Sequence, residues 1–162
     1  MNTQNFSISY DTYSGIEELT ENDKLLCLKA KDAMGTSHSP YSNFKVGTAI
    51  LLADEQIVLG SNQENVAYPS GLCAERVALF YIGASNPSAI ITKMAITAHT
   101  DNFKIVNPVT SCGGCLQVMI EVEKRQNSPI EVLFYCIDGQ ILKVNSVKSL
   151  IPFAFVEDRL ER

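Results

Sequence analysis

The sequence predicts an α/β fold, a five-stranded mixed sheet with helices on both faces, in one domain of 162 residues. Three observations lead there. Short, nearly continuous apolar runs of strand length alternate with longer stretches at the helical period. Helical stretches connect strand-like ones, the order that produces crossovers and parallel pairing. Asp138-Gly139 separates two strand-like runs and marks an antiparallel hairpin, so the sheet is mixed.

Residues 1–19 are polar and turn-rich and read as an N-terminal extension. Phe6 to Tyr10 alternates and suggests an edge strand or a packing tail. Thr20-Glu-Asn-Asp23 has capping-box spacing with Asp in the Glu place. It opens a helix striped by Leu26, Ala30, Ala33 and Met34 and ended by Gly35. Cys27 in this helix reads as a small buried hydrophobe. Phe44 to Leu52 is a buried strand, Ala53 to Glu55 its turn, and Gln56 to Gly60 its hairpin partner. A polar segment, Ser61 to Asn65, leads through Tyr68-Pro69 to an apolar helix over Cys73 to Ala84. Ala89 to His99 is the third strand. A loop delivers Cys112 to Arg125 as the next helix. Ile130 to Ile137 and Gln140 to Val144 form the final hairpin, followed by a short helix near Ser146 to Leu150.

The net charge of −5 disfavours a protein built around a phosphate backbone, which calls for a basic face. The cysteines, five in all, form no secretory framework. No signal-peptide pattern opens the chain, and no apolar run approaches the ~20 residues that span a bilayer. These features suggest a cytoplasmic, reduced setting, with neither nucleic acid nor membrane as partner.

Chemistry concentrates in Cys73-Ala74-Glu75 and Cys112-Gly113-Gly114-Cys115. Three thiols are one short of a closed structural zinc site. A tetrahedral zinc held by three protein ligands keeps a position for water, the catalytic pattern. Glu75, two residues from Cys73, is the candidate to shuttle a proton. Cys112 and Cys115 share a helix face, and both ligand groups fall at helix N-termini, where the partial positive charge favours thiolates. Other readings remain. A redox CxxC would leave Cys73-Ala-Glu75 without a task. A zinc knuckle needs a fourth ligand, and His38, His99, Cys27 and Cys136 stand in no paired spacing. Three thiolates on Zn²⁺ leave a net negative centre, which Arg76 would offset by donating to a sulfur; a surface ion pair is the alternative for it. Asn62 and Glu64 leave one face of an extended stretch and suit a ribose diol, though spacing alone favours ordinary turn chemistry.

The runs Pro40-Tyr-Ser-Asn-Phe-Lys-Val-Gly47, Asn62-Gln-Glu-Asn65, Tyr68-Pro69, Cys73-Ala-Glu-Arg76 and Cys112-Gly-Gly-Cys115-Leu-Gln resemble the cytidine deaminases of free-nucleoside salvage. The resemblance covers the chain from about residue 22 to Phe155. It implies a three-layer α-β-α sandwich with a single catalytic domain over residues 20–162. It implies one zinc held by Cys73, Cys112 and Cys115. Glu75 would take a proton from the activated water, deliver it to N3 and help ammonia leave, as in zinc deaminases generally. Asn62 and Glu64 would bind the ribose and Phe44 would pack on the base. Ala74, through its backbone, and the Thr110 carbonyl would contact the base and its amino group. The family commonly forms homotetramers, and Leu150 to Phe155 resembles its terminal segment, with Phe155 reaching a neighbouring pocket.

Two positions depart from the family pattern. Ser111 replaces a usual Pro and is expected to cap the following helix. Leu116 replaces a usual Arg and removes a positive charge near the site. The expected reaction is deamination of cytidine and deoxycytidine. The alternatives are a related substrate, such as blasticidin S or a base in a polynucleotide, and a zinc module without turnover.

Overall fold

The computed structural model describes residues 1–160. Along the chain run β1 (Asp11–Tyr13), α1 (Glu21–Ala33), β2 (Phe44–Leu52), β3 (Ile57–Ser61), α2 (Ala74–Ser85), β4 (Ile91–Thr100), α3 (Gly113–Gln126), β5 (Glu131–Tyr135) and β6 (Ile141–Val144). The sheet has six strands in the order β1-β6-β5-β4-β2-β3. The sixth is β1, which pairs antiparallel with β6. It falls in the expected extension but just after the alternating run Phe6 to Tyr10.

Why the strands read as unbroken apolar runs is clear from their two faces. On one side Ile50, Leu52, Met94, Ile96, Val132 and Phe134 pack with Ala78, Leu79 and Ile82 of α2 and Met119 and Ile120 of α3. On the other, Ala49, Ala95, Leu133 and Tyr135 pack with Leu26, Cys27 and Ala30 of α1. Successive strand residues therefore feed different cores, and each must be apolar. The result is the three-layer α/β arrangement.

Two glycines let the layers approach. A Cβ on Gly47 would stand 2.0 Å from the Ala30 carbonyl oxygen, so α1 lies against β2. A Cβ on Gly60 would stand 2.5 Å from the Ala74 oxygen and 2.9 Å from Ala78 Cβ, so the start of α2 lies against β3.

Local expectations fared unevenly. Thr20 caps α1 by accepting from the Asp23 N–H at 3.3 Å. The reciprocal half of the capping box is missing, because the Asp23 carboxylate turns inward to Lys93 at 2.7 Å and Lys143 at 2.9 Å. Strands β3 and β4 flank α2 in sequence but do not pair. Both run antiparallel to β2, which lies between them. The parallel pair is β4 with β5, joined through α3. The hairpin between β5 and β6 is antiparallel, with the Cys136 N–H bonded to the Gln140 oxygen at 3.2 Å. Among the described residues, no helix is long and apolar enough to cross a membrane.

Candidate active site

The start of α2 faces the start of α3. Cys73 is the N-cap of α2 and Cys112 the N-cap of α3, both with extended backbone. Cys115 lies one turn into α3, fully buried. The sulfurs of Cys73, Cys112 and Cys115 all lie within 4.8 Å of one another, and they form the only such His/Cys/Asp/Glu group of three or more among the described residues. All three cysteines are free thiols, with Cys112 and Cys115 Sγ 3.6 Å apart. A tetrahedral zinc with Zn–S near 2.3 Å sets sulfur–sulfur edges of about 3.8 Å, close to the Cys112–Cys115 separation, so this soft donor set fits zinc.

Electrostatics favour thiolate at Cys73. The hydrogen bond with Cys115 holds the Cys73 thiol below its usual range against the effect of burial, and Arg76 adds to the lowering. The same bond, reinforced by burial, pushes Cys115 upward. Arg76 Nη2 donates to Cys73 Sγ at 3.7 Å. The helix N-terminus at Cys73 works in the same direction.

Glu75 sits in the first turn of α2 and is only 4% exposed. Its Oε1 accepts from Ser111 Oγ at 2.7 Å. Ser111 was expected to cap α3. Instead the N-cap is Cys112, with no side-chain cap bond, and the serine hydroxyl turns to Glu75. Leu116 packs against the core, as its apolar side chain dictates.

A cavity of about 760 Å³ opens beside these groups. Cys73, Cys112, Glu75 and Arg76 line one part of it, and Phe44, Asn62, Glu64 and Thr110 also contribute. Val46, Ile96 and Val109 add apolar wall. The segment bearing Asn62 and Glu64 is pinned from two sides. Gln63 exchanges backbone hydrogen bonds with Leu72 at 2.9 Å, and the Glu64 N–H donates to the His38 oxygen at 2.7 Å. Glu64 accepts from the N–H groups of Tyr41 at 2.9 Å and Ser42 at 3.3 Å, and from the Ser42 hydroxyl. The Ser42 hydroxyl, helped by those N–H groups, keeps the Glu64 carboxyl below its usual range. Asn62 Oδ1 accepts from the Val46 N–H at 2.8 Å and Ser37 Oγ at 2.6 Å, while its Nδ2 donates to the Phe44 oxygen at 2.8 Å. Phe44 leans on Phe103, ring centroids 6.4 Å apart.

Two expected site residues lie apart from the cavity lining. Ala74 is fully buried in α2. Phe155 is 71% exposed, its backbone bonded both ways to the Gln117 amide at 2.8 and 3.0 Å. Sequence reasoning missed Tyr41 and Ser42 as supports of Glu64. They stand in the quoted run from Pro40 to Gly47, but nothing in one sequence says that this run folds back onto Glu64. It also missed the bond from Ser111 to Glu75.

Residues 20–128 match the family model for the cytidine and deoxycytidylate deaminase zinc-binding region. The cytidine deaminase of Halalkalibacterium halodurans is 33% identical over 137 residues, which cover 83% of this chain and 95% of that protein. The cytidine deaminase of Sporosarcina psychrophila is 35% identical over 135 residues, 83% of this chain and 92% of that one. The crystal structure of cytidine deaminase from Burkholderia pseudomallei superposes with a TM-score of 0.71 at 34% identity, covering 85% of this chain and all of that one. The chain belongs to the cytidine and deoxycytidylate deaminase family that carries this zinc-binding region.

Proposed function

We propose that this protein catalyses the zinc-dependent hydrolytic deamination of cytidine and deoxycytidine to uridine and deoxyuridine, releasing ammonia. The observation that carries the reading is one cavity walled by two of the clustered thiols and by buried Glu75, with Asn62 and Glu64 also in its lining. Zinc held by Cys73, Cys112 and Cys115 would supply Lewis-acid activation of water.

The chain's own residues do the rest. Glu75 accepts a proton from the attacking water and delivers it to N3 of the pyrimidine, then takes the second proton, from the new C4 hydroxyl, and delivers it to the leaving amine. Burial keeps bulk water from competing for that proton. Phe44 packs on the base, while the Ala74 backbone and the Thr110 carbonyl meet its polar edge. Asn62 and Glu64 take the ribose hydroxyls, and the bonds that brace Glu64 keep it ionised and aimed.

Charge narrows the substrate. Arg76 is the only Lys or Arg lining the cavity among the described residues, and it is engaged with Cys73. A 5′-phosphate would meet Glu64 and Glu75 with no free cation, so a free nucleoside fits better than a nucleotide or polynucleotide. We assign catalysis to a single domain over residues 20–162, with residues 1–19 as an extension. The protein works in the cytoplasm as a homotetramer in which Phe155 reaches a neighbour's pocket. Its ring exposure in the single chain supports that last role.

The test is turnover. The zinc-loaded protein is expected to release ammonia from cytidine and deoxycytidine, with the accompanying ultraviolet change. A metal-loaded preparation inert on both nucleosides would refute the reading.

A further inference from the structure

The Ser111 hydroxyl joins the starts of two helices. Ser111 immediately precedes the N-cap of α3, and its Oγ donates at 2.7 Å to Oε1 of Glu75 in the first turn of α2. The distance suits a charge-assisted O–H···O⁻ bond. The serine hydroxyl gives its one proton to Glu75, and its oxygen is not the side-chain cap of α3, whose N-cap is Cys112. Ser111 itself is outside the cavity lining and is not one of the clustered thiols.

We propose that Ser111 is a positioning residue, holding Glu75 so that Oε1 is anchored and Oε2 alone carries the proton. This rests on the deaminase reading above. The terminal torsion of a glutamate is broad and roughly two-fold, so an untethered carboxylate interchanges its oxygens freely. Glu75 must serve successive proton acceptors, and each transfer requires a heavy-atom approach of roughly 2.6–3.2 Å. Tying one oxygen to the neighbouring helix fixes the other relative to the metal-ligand cluster. A misplacement of about 1 Å in such a group can cost about 100-fold in rate.

The experiment compares wild type, Ser111→Ala, Ser111→Thr, Glu75→Gln and the double variant on cytidine, with zinc content and melting temperature measured for each. Ser111→Ala is expected to lower kcat about 10- to 100-fold with KM, zinc content and melting temperature little changed. Ser111→Thr, which keeps the hydroxyl, is expected to recover most of that loss. In the Glu75→Gln background, Ser111→Ala should cost nothing further, because residues acting as a unit are not additive. An active wild type with an indifferent Ser111→Ala overturns the inference alone. So does a loss that Thr fails to rescue, that appears in KM or zinc content, or that adds in full to Glu75→Gln. An inert zinc-loaded wild type instead removes the deaminase reading and the inference with it.

Discussion

In the proposed reaction Glu75 does what an amide cannot, accepting a proton and returning it. Glu75→Gln keeps the size of the side chain and an acceptor for Ser111. Its kcat on cytidine is expected to fall about 10²- to 10⁴-fold, the usual contribution of general acid–base catalysis, with zinc content unchanged. Turnover and metal analysis on one preparation check this, and unchanged turnover would remove Glu75 from the mechanism. That Cys73, Cys112 and Cys115 would cluster, with Glu75 beside the same cavity, was legible from their local spacings. Asn62 was harder. Its bonds to Ser37, Phe44 and Val46 reach residues 25, 18 and 16 positions away and are not local turn chemistry, and it lines the cavity as well. Spacing alone could not show partners so far away in sequence. The Ser111 bond was illegible for a different reason, since its partner belongs to another helix.

At the scale of elements, the site is set by how closely α2 rests on β3. Gly60 leaves no room for even a methyl group, since its Cβ would fall 2.5 Å from the backbone oxygen of Ala74. Gly60→Ala must therefore move the first turn of α2, which carries Glu75 and follows Cys73. Overpacking of this kind costs about 1–3 kcal/mol of stability. If Glu75 acts as proposed, misplacing this turn should add a fall of about 100-fold in kcat/KM. Melting temperature and cytidine kinetics measure the two effects separately, and full activity would mean that the turn tolerates displacement. Apolar runs located most strands and helices to within a few residues. They could not show that β2 lies between β3 and β4, because a crossover reads the same whether it joins neighbours or passes over a strand. Strand β1 escaped notice for its brevity. At three residues, Asp11-Thr-Tyr13, it has no pattern to read.

Across the whole molecule, one ionic cluster ties α1 to three strands. Asp23 is 1% exposed and paired with Lys93 of β4 and Lys143 of β6, which also meet Glu131 of β5 at 3.1 and 3.0 Å. Burial alone would raise the Asp23 carboxyl, but hydrogen bonds from both lysines outweigh it and hold it below its ordinary 3.8. A depressed folded-state value means a contribution to stability that is present above about pH 4 and lost as the pH falls through the lowered value. Both lysines are raised above 10.5 by Asp23 and Glu131 despite burial, so their contribution is lost as the pH rises beyond that value. Asp23→Asn should destabilise the fold by about 3 kcal/mol near neutral pH, as expected when one member of a buried ion pair is removed. It should also flatten the loss of stability below pH 4. Denaturant titrations across pH test both, and an unchanged acid limb would show that the cluster is energetically idle. In sequence, Asp23 looked like a helix cap because its lysines are 70 and 120 residues away.

The short β1 has a consequence beyond the fold. It occupies the outer side of β6, which would otherwise present a row of unsatisfied N–H and C=O groups, the kind of template that recruits strands from other chains. Trimming the protein through Tyr13 should leave the cavity beside Glu75 intact yet make solutions turn cloudy on standing, which light scattering would record. The leading segment, remote from the chemistry, thus acts as a stopper that keeps the sheet from growing into its neighbours.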